Sequence, residues 1–262
     1  MRAYIAYARK VFLGRSAYRF DHLMSIISTV LQLLIFYEIY RALYGGAEQV
    51  DGITMSMVTT NFVLSLGLEA IFTPDDYFLP NKIWDGSIST ELLRPISFKG
   101  RMIAENIGNS AFNLIFKFIP VLIVALLTTG VEAPADIPCL LLFILSAILG
   151  CGVLWSISFA IQMTSFWLIN IWSLVTIKNV FVNVLSGSMI PLWFMPDWMQ
   201  GVLNFTPFAS ICFTPVQIYL GQLTYGEIAV KCAIQIVWIV LIYLLGGLLW
   251  RKGQRKLIVQ GG

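Results

Sequence analysis

Asn81-Lys82-Ile83-Trp84-Asp85-Gly86-Ser87-Ile88-Ser89-Thr90-Glu91-Leu92-Leu93-Arg94-Pro95-Ile96-Ser97-Phe98-Lys99-Gly100-Arg101 is the longest polar interruption between hydrophobic runs in this sequence. It carries four cations, Lys82, Arg94, Lys99 and Arg101, against two acids, Asp85 and Glu91. Between membrane-length apolar runs, a basic loop faces the cytoplasm. Asp85-Gly86 reads as a turn. Ser87 or Ser89 can cap a short helix, Thr90 and Glu91 suit its first turn, and Pro95 ends it. A short capped helix on the cytoplasmic side is a handle for a soluble partner. The same residues also suit a plain solvated connector.

The runs on either side set the class. The chain has 262 residues, of which 58% are hydrophobic and 12% charged, with a mean hydropathy of +0.81. Soluble domains carry about 25% charged residues, so this composition is that of an integral membrane protein. A bilayer core of ~30 Å takes ~20 apolar residues per helix, which leaves room for about six spans and their loops. The runs are too long and too continuous for barrel strands. The net charge of +3 comes without a basic patch interleaved with aromatics, so no nucleic-acid partner is expected. Cys139, Cys151, Cys212 and Cys232 lack metal-ligand spacing and read as small packing residues. His22, the single histidine, cannot build a His-based metal site and reads as an interfacial residue.

Upstream of the loop, residues 53–73 form a predicted second span containing Asn61 and Glu69, closed by Pro74-Asp75-Asp76. Residues 44–52 make an acidic turn, and residues 23–43 a first span in which Glu38 and Arg41 can pair on one face. Residues 1–20 hold Arg2, Arg9, Lys10, Arg15 and Arg19. Tyr4, Ile5, Ala8, Val11 and Phe12 recur there at helical spacing, predicting a helix lying in the cytoplasmic interface. Downstream, residues 104–129 form a third span with Glu105, Lys117 and Pro120. A second acidic turn at 130–137 leads into the fourth span, 138–161. After a tight return at 162–168 comes the fifth span, 169–186, and 228–250 is the sixth. The fold class is therefore an all-α polytopic membrane protein, one transmembrane domain over residues 1–262.

Orientation follows from charge. With both termini cytoplasmic, 13 of the 17 Lys and Arg fall in cytoplasmic segments; the exceptions are Arg41, Lys117, Lys178 and Lys231. The outer loops then carry Glu48, Asp51, Glu132, Asp136 and Asp197. This positive-inside bias predicts an even number of spans with both ends inside the cell membrane.

Two stretches stand out among the spans. Thr176, Asn179, Asn183 and Ser186 recur at spacings of three and four along the fifth, with Lys178 about 100° from Asn179. An ammonium in lipid is costly, so Lys178 should face a partner helix, an acid or water, with Glu69, Glu105 and Glu38 as candidate counter-charges. This stripe suits a translocation path or a subunit interface, or simply hydrogen bonding between helices. Residues 187–208 contain Pro191, Pro196 and Pro207 yet stay apolar, with Trp193 and Trp198. Irregular backbone at membrane depth must be buried in protein or line a wet cavity. They read as an outward re-entrant helical hairpin with Pro191, Trp193, Pro196 and Trp198 as an outer gate, or as a plain lid.

The sequence contains no Gly-x-x-x-x-Gly-Lys-Ser/Thr phosphate loop, no His-Glu-x-x-His and no Gly-x-Ser-x-Gly. Taken together, the basic interface helix, the six spans, Leu-Leu-Arg-Pro-Ile-Ser at 92–97 and Ser-Gly-Ser-Met-Ile-Pro-Leu-Trp-Phe-Met-Pro-Asp-Trp at 186–198 resemble a type-2 ATP-binding-cassette permease. The nearest likeness is to its viologen-exporter-like or drug-exporter-like branch. The resemblance implies a permease subunit with no ATPase and no cofactor of its own, ATP and Mg being held by a partner ABC ATPase. It implies a second permease, the same chain or a paralogue, and contact with membrane lipid. It places ATPase coupling on residues 2–19 and about 82–95, hence on Ser89, Glu91, Leu92, Leu93, Arg94 and Pro95. An ATP-independent secondary transporter or channel, a membrane enzyme and a scaffold stay open as alternatives on the residues alone.

Overall fold

The computed structural model describes residues 2–17 and 19–256; the side chain of Arg19, part of the basic N-terminal cluster, lies outside the described residues. Almost every described element is a helix: α1 (Arg2–Arg15), α2 (Arg19–Tyr44), α3 (Met55–Phe72), α4 (Phe78–Trp84), α5 (Ile88–Leu92), α6 (Phe98–Asn113), α7 (Ile119–Thr128), α8 (Ile137–Met163), α9 (Trp172–Leu185), α10 (Asp197–Leu203), α11 (Phe213–Tyr219) and α12 (Tyr225–Gln254). Among the described residues five helices are long and apolar enough to cross a membrane: Phe20–Tyr44, Met55–Phe72, Phe98–Thr128, Ile137–Phe166 and Tyr225–Gln254. The chain is an all-α polytopic membrane protein.

α3 is the hub. It is enclosed on all sides, with an unbroken run from Val58 to Leu68 buried, as expected of a helix surrounded by others. Thr54 caps it, accepting from Met57 N at 3.1 Å. Where the sequence predicts only an acidic turn, β1 (Gln49–Val50) and β2 (Ile53–Thr54) form a minimal hairpin. Asp51 and Gly52 take positive φ there, the two-residue turn that Asp-Gly favours.

The third span is one continuous rod, α6 to α7, through a π-helical turn at Leu114–Phe118. Pro120 explains that turn: its ring cannot fit against the carbonyl four residues earlier and it has no N–H to give. The wider turn delivers Phe118 onto Gly67 of α3, where a Cβ would lie 2.1 Å from the ring. The rod begins at Phe98, not at 104, because Ser97 caps it through Gly100 N. Lys99 and Arg101 are therefore helical.

α8 and α12 pack side by side and run parallel. Gly152 meets Ile239, Gly246 meets Phe159 and Gly253 meets Phe166, three contacts each seven residues on. Higher in the same interface Gln235 is wholly buried, donating to Ser146 O at 3.0 Å and Ser210 O at 2.7 Å and accepting from Ser146 Oγ at 3.2 Å. A fully satisfied amide of this kind is a polar staple between helices. The four cysteines are free thiols.

Two expectations change. α9 has 14 residues, about 21 Å, shorter than the predicted span 169–186. α11 is a buried helix that the sequence reading left unassigned; its Pro215 and Phe213 hide a 3.6-residue pattern too short to read.

Candidate functional site

The cytoplasmic-type loop folds as two short helices, α4 and α5, joined by a turn at Asp85-Gly86. Neither Ser87 nor Ser89 caps α5 with its side chain, contrary to expectation. Ser89 Oγ donates back to Gly86 O at 2.9 Å, and it is Asp85 Oδ1 that accepts from Ser87 N at 2.8 Å. An Asx turn thus takes the orphan N–H, and the bonds from Ser87 hold the Asp85 carboxyl below the usual carboxylate range. α5 stops at Leu92, three residues before Pro95, which disfavours helical backbone at the residue before it.

Glu91 is the fixed point of the segment. It is buried, and three cations close on it: Lys82 at 3.2 Å, Arg94 at 3.4 Å and Arg101 in closest contact. Arg101 also donates to Glu105 at 2.7 Å and stacks over the Tyr7 ring of α1. Arg94 donates to Tyr7 Oη at 3.0 Å, a bond that raises its already high pKa. Tyr4 Oη accepts from Ser97 N at 3.2 Å. α1 is therefore a strut locked onto the loop and onto α6, where Gly108 admits Ala8 so closely that a Cβ would lie 2.2 Å from the Ala8 carbonyl oxygen. The inward face of α1 uses Tyr7 rather than Ile5, which is exposed. His22 bonds Arg15 O at 2.8 Å and so ties the end of α1 to α2.

What this anchoring leaves outside is apolar. Trp84 is 83% exposed and Leu93 85%. Leu92 is partly exposed. Trp84 and Tyr7 were not singled out by sequence, and Tyr4 and Arg101 were named only for the helix pattern and the loop's charge; helical spacing from Tyr4 to Tyr7 is the signal that could have found the second tyrosine.

Behind α4 lies the second polar centre. Lys178 is buried on α9, with Nζ 2.5 Å from Asp76 Oδ2 and 3.1 Å from Ser158 Oγ. Its counter-charge is thus Asp76, not Glu69, Glu105 or Glu38; Glu105 pairs with Arg101 and Glu38 with Arg41. The predicted polar stripe divides. Ser186 is buried, Thr176 half-buried, and Asn179 and Asn183 face outward. Thr176 and Asn179 line an open cleft of about 350 Å³ with Arg15, Asp75, Tyr77 and Trp172. Burial pushes the Asp75 carboxyl up, against the opposing pull of the Tyr77 N–H and Arg15.

Residues 187–208 hold a 3-10 turn at Leu192–Phe194 and the short helix α10. Pro191 is buried, Trp193 half-buried and edge-on to Phe213 at 5.2 Å. Pro196 and Trp198 are exposed. The chain from 204 to 219 touches the neighbouring helices at successive depths. Asn204 Oδ1 accepts from Lys231 at 2.6 Å, Phe205 O from Trp238 at 2.8 Å, and Tyr219 O from Ala135 N at 3.1 Å.

These features define a multi-pass helical membrane protein with an anchored, partly apolar surface at one end of the bundle and a loosely packed polar helix beside it. The family model described as ABC-2 family transporter protein matches residues 26–261, and the chain belongs to that family. It is a transmembrane permease of an ABC transporter, a transport component rather than an enzyme in itself. No curated protein matches the chain.

Proposed function

We propose that this chain is the membrane-spanning subunit of an ATP-driven exporter, with α4–α5 and α1 as the seat of a separate ABC ATPase that binds ATP and Mg. The observation that carries this reading is the exposed Trp84 and Leu93 on a segment pinned from within by Glu91. An apolar knob on a rigid mount is what transmits force from a soluble partner, since a mobile loop would absorb the movement. Ser89, Glu91, Leu92, Leu93, Arg94 and Pro95 form that mount, Glu91 from its inner side.

The bundle is read as six crossings with both termini cytoplasmic. The parallel course of α8 and α12 supports an odd number of crossings between them, and α9 is the available element. The contacts of 204–219 at successive depths of α12 and α8 support a re-entrant hairpin, α10 descending and α11 returning. Pro191, Trp193, Pro196 and Trp198 then sit at its outer rim as a gate. The outward Asn179, Asn183 and Ile177, Val180 and Phe181 of α9 suit a second permease copy or paralogue, with the path between the two. An amphipathic or hydrophobic cargo fits such a path.

Native mass spectrometry of the chain purified from its host membrane tests the reading. Recovery with a nucleotide-binding protein in equal numbers supports it, and the mass tells whether the second permease is a copy. A lone chain or simple homo-oligomer that moves substrate in liposomes without ATP overturns it.

A further inference from the structure

Asn61, Ser65 and Glu69 stand four residues apart on α3, forming one stripe of its enclosed surface. Asn61 and Ser65 are wholly buried. Each of the three presents an enclosed oxygen that has no hydrogen-bond partner among the described residues: Asn61 Oδ1, Ser65 Oγ and Glu69 Oε1. The stripe faces the non-helical turn after α9. Asn61 Nδ2 donates to Gly187 O at 3.0 Å, and Ser188 lies against the Glu69 carboxyl. Asn61 and Glu69 are about 12 Å apart along the helix, so reaching adjacent residues makes them lean toward each other across Ser65.

The set has no counter-charge among the described residues. Ser188 Oγ stands within reach of both Asn183 O, at 3.1 Å, and the Glu69 carboxyl, and its single hydroxyl hydrogen serves one of them at a time. Asn61 offers its carboxamide oxygen, one of its two N–H groups being engaged at Gly187. Among the described residues no Lys or Arg forms an ion pair with Glu69. Lys178, on the nearby α9, is held by Asp76 and Ser158. Among the described residues the Cys212 thiol, from the turn before α11, lies within electrostatic range of Glu69. A carboxylate at membrane depth without a counter-charge is costly, and buried polar oxygens without a partner are costly again. One small cation among these oxygens removes both costs. Unwound backbone beside a membrane helix is a recurrent place for such an ion.

Glu69 is the one half-buried member, and Thr73 Oγ1 donates to its carbonyl at 2.7 Å. Thr73 and Pro74, one turn below, already line the open cleft.

We propose that Asn61, Ser65 and Glu69 form a small-cation site at the centre of the bundle, occupied by a proton or by sodium on the Glu69 carboxyl. Because Gly187 and Ser188 close the site, its occupancy is coupled to the position of the turn that joins α9 to the outer segment. The site belongs to this chain alone and does not depend on an ATPase partner.

The test is labelling of the full chain in lipid nanodiscs with dicyclohexylcarbodiimide, which attacks protonated carboxyls in apolar surroundings, read by peptide mass spectrometry. The expected result is an adduct on Glu69 that declines as pH rises and is lost in Glu69→Gln. Protection by sodium chloride but not by potassium chloride identifies sodium as the occupant; pH dependence indifferent to sodium identifies the proton. In Asn61→Ala/Ser65→Ala the sodium protection is lost or the pH midpoint shifts, and this arm still reads out if Glu69→Gln does not fold. No adduct on Glu69 wherever the protein stays folded, an adduct indifferent to both pH and sodium, or an unchanged profile in the double variant overturns the proposal.

Discussion

Lys178 and Asp76, 102 residues apart in the chain, meet in a buried ion pair with Nζ 2.5 Å from Oδ2. Asp76 lies two residues before α4, and α9 packs lightly on the rest of its own chain, so this pair ties the loose polar helix to the anchored loop. Lys178→Met strands Asp76 without its counter-charge and should cost roughly 3–5 kcal/mol. Thermal unfolding in nanodiscs reads this. The exchange Asp76→Lys/Lys178→Asp should recover part of the loss, whereas a merely steric role for Lys178 predicts no recovery.

Leu93→Asp should leave folding within about 0.5 kcal/mol of the parent, because the side chain is in solvent and supports nothing. Its effect should fall on the partner: the ATPase no longer co-purifies, or its hydrolysis no longer drives transport. Trp84→Ala should weaken the same association. Parental ATP-driven transport by Leu93→Asp ends the coupling assignment.

Glu91→Gln removes the charge on which Lys82, Arg94 and Arg101 converge. The three cations then repel one another at short range, and the strut α1 loses its grip through Arg94 and Arg101 on Tyr7. Trypsin cleavage at Arg9 and Lys10 should become several-fold faster, with the bundle itself still inserted. Unchanged cleavage would show that α1 is held by its apolar face alone.

Gly108→Val should displace α1 from α6, because the new Cβ meets backbone at Ala8 and neither helix can yield locally. A cost of about 1–3 kcal/mol is expected from such overpacking. Gly201→Ala, on α10 with nothing within 4 Å of its Cβ, is the matched control and should be neutral or slightly stabilising.

The long apolar helices, the N-terminal helix and the polar break at 81–101 were legible in the sequence, since hydropathy and charge are local properties. The i, i+3 pair Glu38–Arg41 was legible for the same reason. Pro120 was visible inside the third span, but not that the turn before it would be π-helical and aim Phe118 at Gly67. Lys178 was recognisable as a residue in need of an acid, and the acid was misassigned. Asp76 looked like part of a loop, and only the approach of α9 to that loop buries it.

Sequence by itself determined that this chain lives in a membrane, where its long helices lie, and which loop is basic. Tertiary structure decided the partners: Asp76 for Lys178, three cations for Glu91, Ser146 and Ser210 for Gln235, and Gly187 for Asn61. The physical reason is that lipid makes every apolar helix face equivalent, so hydropathy says that a helix spans and not which neighbour it meets. That choice rests on small residues such as Gly67 and Gly108 that permit close approach, and on buried polar groups whose satisfaction requires atoms far away in the chain.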